Sequence, residues 1–161
     1  MEHYAWLVSV IGAHSNHRVL GRIRLQKTVW FLQRLGLPTD YSFRMHFYGP
    51  YSEDVQADLR LVEKLGAVSE QVVGAGYEYV AEDTAFVRDV GEFKSAIGIL
   101  ESTSPIVLEL ASTLDWFLDY GYSLDAALDA MRQVKHDKWA EEYESLAREL
   151  LAELGLVETA A

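Results

Sequence analysis

His46-Phe47-Tyr48-Gly49-Pro50-Tyr51-Ser52 is the stretch on which the fold turns: an aromatic run breaks at a Gly-Pro step and a helix opens behind it. Proline fixes φ and carries no N–H, so Gly49-Pro50 marks a turn out of an extended segment. Ser52 is a good N-cap, and Glu53 and Asp54 place negative charge in the first helical turn, where the helix dipole favours it. Upstream, Tyr41 to Tyr48 alternates, with Phe43, Met45 and Phe47 on one side and Arg44, His46 and Tyr48 on the other, which predicts a short extended segment packed through the first set. Downstream, Val55, Leu59, Val62 and Leu65 keep helical spacing until Gly66 stops them.

Working outward, residues 2 to 13 are apolar almost all round, as expected of a short buried helix, and the polar segment His14 to His17 ends it. A second helix opens at Gly21 or Arg22 and runs to Gly36, with Pro38 beyond as a stop and Leu25, Thr28, Val29, Leu32 and Leu35 toward the core. Ala67 to Ala81 reads as a hairpin about Gly74-Ala75-Gly76. Helix, helix, short strand, helix and two-stranded wing is the element order of a winged helix. After Asp83 the pattern is helical: Phe86, Val90, Phe93, Ile97 and Leu100 share one spacing, Ser104-Pro105 and Ser123 open two further helices, and Asp137 opens a last one with Trp139, Tyr143, Leu146, Leu150 and Leu154 inward. The expected fold is mainly α with a small β-hairpin, a single domain over 1–161 with a winged-helix-like N-terminal core (1–82) and an acidic C-terminal helical bundle (83–161). The loop near Thr84 is the candidate boundary between them.

The 161 residues suit one domain with a core of its own, and half of them are apolar. The absence of cysteine excludes disulfides, thiolate metal sites and thiol catalysis. The start has no basic n-region, and no apolar run approaches the roughly 18 residues that span a bilayer, so a cytoplasmic protein is expected. The net charge of −11 falls entirely on residues 81–161, whereas between His3 and Thr39 there are five cations and no acid. The two ends are therefore complementary, within one chain or between two, which allows a homodimer.

That basic segment contains a second row on the second helix, Ile23, Lys27, Trp30 and Arg34, spaced four, three and four. A Trp between cations is either a partner-binding face or a face covered by the chain's own acidic helices; small multi-helix domains commonly sandwich their helices, which favours cover. The outward row Arg44, His46 and Tyr48 is the other expected contact surface. Both rows would serve another protein or a second copy of the chain.

Chemistry is sparse. His14 and His17 lack a third ligand and read as a solvated loop, so no metal is expected. His46 has Ser52 as its one nearby nucleophile and nothing to orient either, so an enzyme using His46 is an alternative without a partner group. Gly74-Ala75-Gly76 lies in a hairpin rather than a phosphate-binding strand-to-helix turn, so no cofactor is expected. DNA binding by a winged-helix transcription regulator is the other alternative. Against it, Glu53, Asp54, Asp58 and Glu63 outnumber Arg60 and Lys64 on the helix that would enter the groove, and the hairpin adds Glu70 and Glu78.

Arg24-Leu25-Gln26-Lys27 followed by Phe31-Leu32, then His46 to Ser52 and a helix ending at Leu65-Gly66, resembles the YwgA-type proteins of bacteria and archaea. Leu108 to Thr113 and Lys135 to Trp139 extend that resemblance. More distantly, the Leu-x-Lys helix before a Tyr-Gly-Pro turn is similar to the SocA-like, or Panacea, antitoxin domain. That second resemblance implies a non-enzymatic domain that binds and neutralises a toxin protein in toxin–antitoxin or phage-defence settings.

Overall fold

The computed structural model describes residues 2–82 and 87–158. Helices α1 (His3–Gly12) and α2 (Arg22–Arg34) are joined by a 3-10 turn at Ser15–His17 and by strand β1 (Arg18–Leu20). Strands β2 (Arg44–His46) and β3 (Gly49–Tyr51) form a tight antiparallel pair that delivers the chain to α3 (Glu53–Lys64). Strands β4 (Val68–Val73) and β5 (Gly76–Ala81) follow, and then α4 (Lys94–Glu101), α5 (Pro105–Tyr120), α6 (Leu124–Val134) and α7 (Glu141–Glu153). The protein is mainly α with small antiparallel sheets, as the sequence predicts.

Hydrophobic burial drives two neighbouring cores, and α2 serves both. Leu25 and Val29 pack with Leu7, Ile11, Val55, Leu59, Val62 and Tyr79 in one; Trp30, Phe31 and Leu32 pack with Ile97, Leu108, Leu114, Met131 and Leu151 in the other. The sandwiching of α2 decides the fate of its second row. Trp30 is buried at its ring edges by Phe43 and Trp116, with centroids 5.3 and 5.6 Å away. Its Nε1 donates to Asp115 at 3.0 Å, and Arg34 clasps the same carboxylate through Nε at 2.9 Å and Nη2 at 3.1 Å. The basic end and the acidic end are thus joined within one chain at this point.

The three-stranded sheet has the order β1-β5-β4, antiparallel throughout. Strand β1 escapes the sequence pattern because its three residues are too few to display alternation; only Val19 is buried, against Tyr79.

Several boundaries differ from expectation for identifiable reasons. Gly49-Pro50 is not the turn itself: residues 47 and 48 form it, and Gly49–Tyr51 is a strand paired with Arg44–His46. Phe47, expected on the packed side with Phe43 and Met45, therefore sits at the tip and is 85% exposed. Val90 is buried as expected but precedes a 3-10 turn, and the helix begins at Lys94. Phe86 and the expected boundary near Thr84 lie outside the described residues. The last helix begins at Glu141, not Asp137, because residues 135–138 form a turn of their own, in which Lys138 N and Trp139 N both donate to Lys135 O. Leu146, expected inward, is exposed. His14, expected in a solvated loop, is buried; its Nδ1 lies 2.7 Å from Val10 O, and burial holds its pKa below the usual value.

Among the described residues, no helix is long and apolar enough to cross a membrane.

Candidate functional site

Two consecutive residues of α2 build the base of the site. Gln26 pairs in both directions with the backbone of Ser52, its Nε2 donating to Ser52 O and its Oε1 accepting from Ser52 N, each at 2.9 Å. Lys27 Nζ donates to Pro50 O at 2.8 Å. Ser52 then caps α3 by accepting from Val55 N. The Gln-Lys pair and the Gly-Pro-Tyr-Ser segment are thus one physical unit. Proline removes one donor from the strand, and the buried polar groups that remain are met by a side chain rather than by a third strand.

Helix α5 and the α6–α7 connection close this unit from the other side. Gly49 adopts φ +94, and a Cβ there would stand 3.1 Å from both Ser112 Oγ and Thr113 Oγ1 and 3.3 Å from Lys27 Nζ. Only glycine lets β3 approach α5 so closely. One turn earlier on α5, Glu109 is buried and receives two lysines: Lys135 Nζ at 3.1 Å and Lys138 Nζ at 3.1 Å from both carboxylate oxygens. Lys135 also donates to Phe47 O at 2.6 Å, and Lys138 lies 4.4 Å over the Tyr48 ring. The tip of the β2–β3 hairpin is therefore held by Lys27 at its root and by Lys135 at its end.

Burial pushes the Lys27 ammonium down to about 7; Glu109 opposes the fall and the charges of Lys135 and Lys138 deepen it. Its pKa is low because Lys27 is 1% exposed and burial penalises the charged form, which its hydrogen bond to Pro50 O offsets only in part.

An open cleft of about 630 Å³ lies between the hairpin tip and the α6–α7 connection, lined by Met45, His46, Phe47, Tyr48 and residues 134–138. Of the seven residues expected to contact a partner, Arg44, His46 and Tyr48 are exposed beside this cleft or at its rim. Lys27 and Trp30 are inside the molecule, Ile23 is half-buried, and Arg34 is committed to Asp115 and to Asp119 at 3.2 Å. Lys27, Trp30 and Arg34 of the row thus form a seam against α5, with Ile23 half-buried at the N-terminal end of the row. The sequence pattern places Phe47 on the packed side and gives Lys135 and Lys138 no role; Lys135 and Lys138 are separated from Tyr48 by nearly ninety residues, and no local pattern announces that contact.

His46 stacks near Tyr51 and Phe47, with centroids 5.2 and 5.9 Å away. Ser52, its candidate partner, is fully buried and engaged as a helix cap. Among the described residues, no group of three or more His, Asp or Glu side chains could hold a metal ion.

No protein-family model matches the chain. It is similar to the uncharacterized protein YwgA of Bacillus subtilis (strain 168), 31% identical over 109 residues that cover 62% of this chain and 66% of that protein. The chain therefore spans just under two thirds of that relative's length, and the likeness supports a YwgA-like family for it.

Proposed function

We propose that the protein is a non-enzymatic, cytoplasmic interaction module that presents the β2–β3 tip and the adjoining α6–α7 connection to another protein. The observation behind this reading is Phe47, an aromatic side chain 85% exposed on a turn whose own carbonyl is gripped by Lys135. Aromatic anchors beside cations dominate binding surfaces, and a backbone fixed in advance lowers the ordering cost of association. Arg44, His46 and Tyr48 supply the surrounding polar contacts. Lys27 holds the hairpin from beneath.

In finer terms, we read the N-terminal half as winged-helix-like, because β1 follows α1 and pairs with β5 behind the α3–β4–β5 sequence. The similarity of the Leu25-x-Lys27 helix and the Tyr48-Gly49-Pro50 turn to the SocA-like (Panacea) domain favours an antitoxin-like or defence-associated regulator. DNA binding finds less support: α3 exposes Glu53 and Asp54 in its first turn, and the wing exposes Val72, Val73 and Tyr77. Phosphate contacts demand cations on these elements.

Co-expression with the product of the neighbouring gene, followed by size-exclusion chromatography, tests the proposal. The expected result is a complex that Phe47→Ala disrupts; a complex unaffected by that change would overturn the tip as the contact surface.

A further inference from the structure

Two lysines pair with one buried carboxylate behind the hairpin cleft, and a third stands nearby. Lys135 and Lys138 both pair with Glu109, and Lys27 stands close enough for Glu109 to attract it and for both lysines to repel it. The three lysines have different surroundings. Lys27 is fully enclosed, and the Lys135 side chain is 4% exposed and divided between Glu109 and Phe47 O. The Lys138 side chain is 34% exposed and lines the cleft itself. Its ammonium meets both Glu109 oxygens on one side and the Tyr48 ring face on another, and its side chain borders the open cleft. Among the residues lining the cleft the cations are Lys135 and Lys138, and Asp137 is the one acid. In a chain of net charge −11, this is a local cationic surplus set beside two exposed aromatic rings, Phe47 and Tyr48.

We infer that this cleft binds a carboxylate of an acidic segment on the partner protein, with Lys138 as the pairing cation and Phe47 as the apolar anchor. The inference deepens the interaction reading above and depends on it. A partner carboxylate gives Lys138 a second acceptor beside Glu109, and the partly desolvated site strengthens that pairing relative to open water. A nucleic-acid backbone suits the site poorly, because successive phosphates need a continuous positive strip and the cleft lining offers only Lys135 and Lys138.

The test is fluorescence anisotropy on the full chain with two labelled peptides of the same length and aromatic content, one bearing alternating Glu and the other Gln in its place. The Glu peptide is expected to saturate and to bind about tenfold tighter than the Gln peptide, with Lys138→Gln erasing the difference and Lys138→Arg retaining it. The tightness should fall with added salt. Equal binding of both peptides that Phe47→Ala abolishes would overturn the carboxylate site while leaving the tip reading intact. Failure of both peptides to bind would also overturn it, and the co-expression experiment would then decide the tip reading separately. Equal or tighter binding of a single-stranded oligonucleotide would overturn the choice of an acidic protein. So would a salt-sensitive dimer abolished by Lys138→Gln, since acids of a second copy would then be the occupant.

Discussion

Lys27 Nζ is 2.8 Å from Pro50 O, and this single contact joins the middle of α2 to the strand that opens α3. A cation with 1% exposure has lost its hydration, so the carbonyl and the nearby Glu109 carboxylate are what make its position tolerable. The same contact explains why an exposed aromatic turn can be rigid: its root is fixed from below and its end from the side by Lys135.

The depressed Lys27 pKa makes stability depend on pH in a definite direction. The folded value, about 7, lies below the ordinary value of 10.5, so between those limits the unfolded chain holds the extra proton. Stability from this group therefore rises with pH across that window, by at most ~1.4 kcal/mol per pH unit. Lys27→Met lacks this slope. Urea denaturation of both proteins at several pH values between about 7 and 10 is expected to show the difference widening in favour of the wild type as pH rises. A constant difference would show that Lys27 stays charged throughout.

Gly49 combines a positive φ of +94 with a Cβ position 3.1 Å from two α5 hydroxyls. Gly49→Ala meets both penalties at once: strain in the left-handed region, of order 1–2 kcal/mol, and displacement of β3 from α5, of order 1–3 kcal/mol. A loss of about 2–5 kcal/mol is expected by chemical denaturation. Gly36→Ala, at φ +106 with open space around it, should lose only the conformational share; equal losses at the two positions would remove steric contact as the cause.

Much of the helical framework is legible in the sequence because it follows from caps and periodicity: Ser52, Pro105 and Ser123 open helices where expected, and Gly121 closes one in the left-handed conformation. The site is legible in half. Arg44, His46 and Tyr48 alternate outward within a strand and its turn, a local property. The inward fate of Lys27 and Trp30 depends on what covers them, and their spacing of three is the same for a solvated face as for a seam. Net charge hints at cover, since α5 brings Asp115 and Glu109 to the basic helix, but it cannot pick out which acids meet which bases. Lys135 and Lys138 lie in a turn that resembles a helix start in sequence, and their convergence on Glu109 is purely tertiary.

Asp115 is buried and accepts from Arg34 and Trp30 together, and burial still raises its pKa above the usual carboxylate value. Removing the carboxylate by Asp115→Ala orphans the Trp30 N–H and leaves Arg34 with Asp119 alone among the acids paired to it here. A loss of about 3–5 kcal/mol is expected, the usual cost of breaking one side of a buried pair. Trp30→Phe in the same background should add less than it costs alone, because both changes delete one shared hydrogen bond. Denaturation of the four proteins of this double-mutant cycle measures the coupling, and strict additivity would show that Trp30 and Asp115 stabilise independently.

Gln26 pairs with both backbone groups of Ser52 in a fully enclosed setting, so its amide does what a neighbouring strand would do elsewhere. Gln26→Leu keeps the volume and strands the buried Ser52 N–H, at a cost of about 1–3 kcal/mol, while Ser52 O keeps Gln56 N as its one donor. Gln26→Glu keeps the acceptor for Ser52 N but faces Ser52 O with a second oxygen, so when ionised it exchanges one hydrogen bond for repulsion. Protonation of the introduced carboxylate restores the donor. The Glu variant should therefore be nearly as unstable as the Leu variant at neutral pH and recover relative to it as pH falls toward the pKa of the buried carboxyl, because the folded state then holds the additional proton. Thermal unfolding of the two variants at pH 5 and pH 8 checks this, and a Glu variant that fails to gain on the Leu variant at the lower pH would show that Gln26 acts through packing rather than through its paired hydrogen bonds.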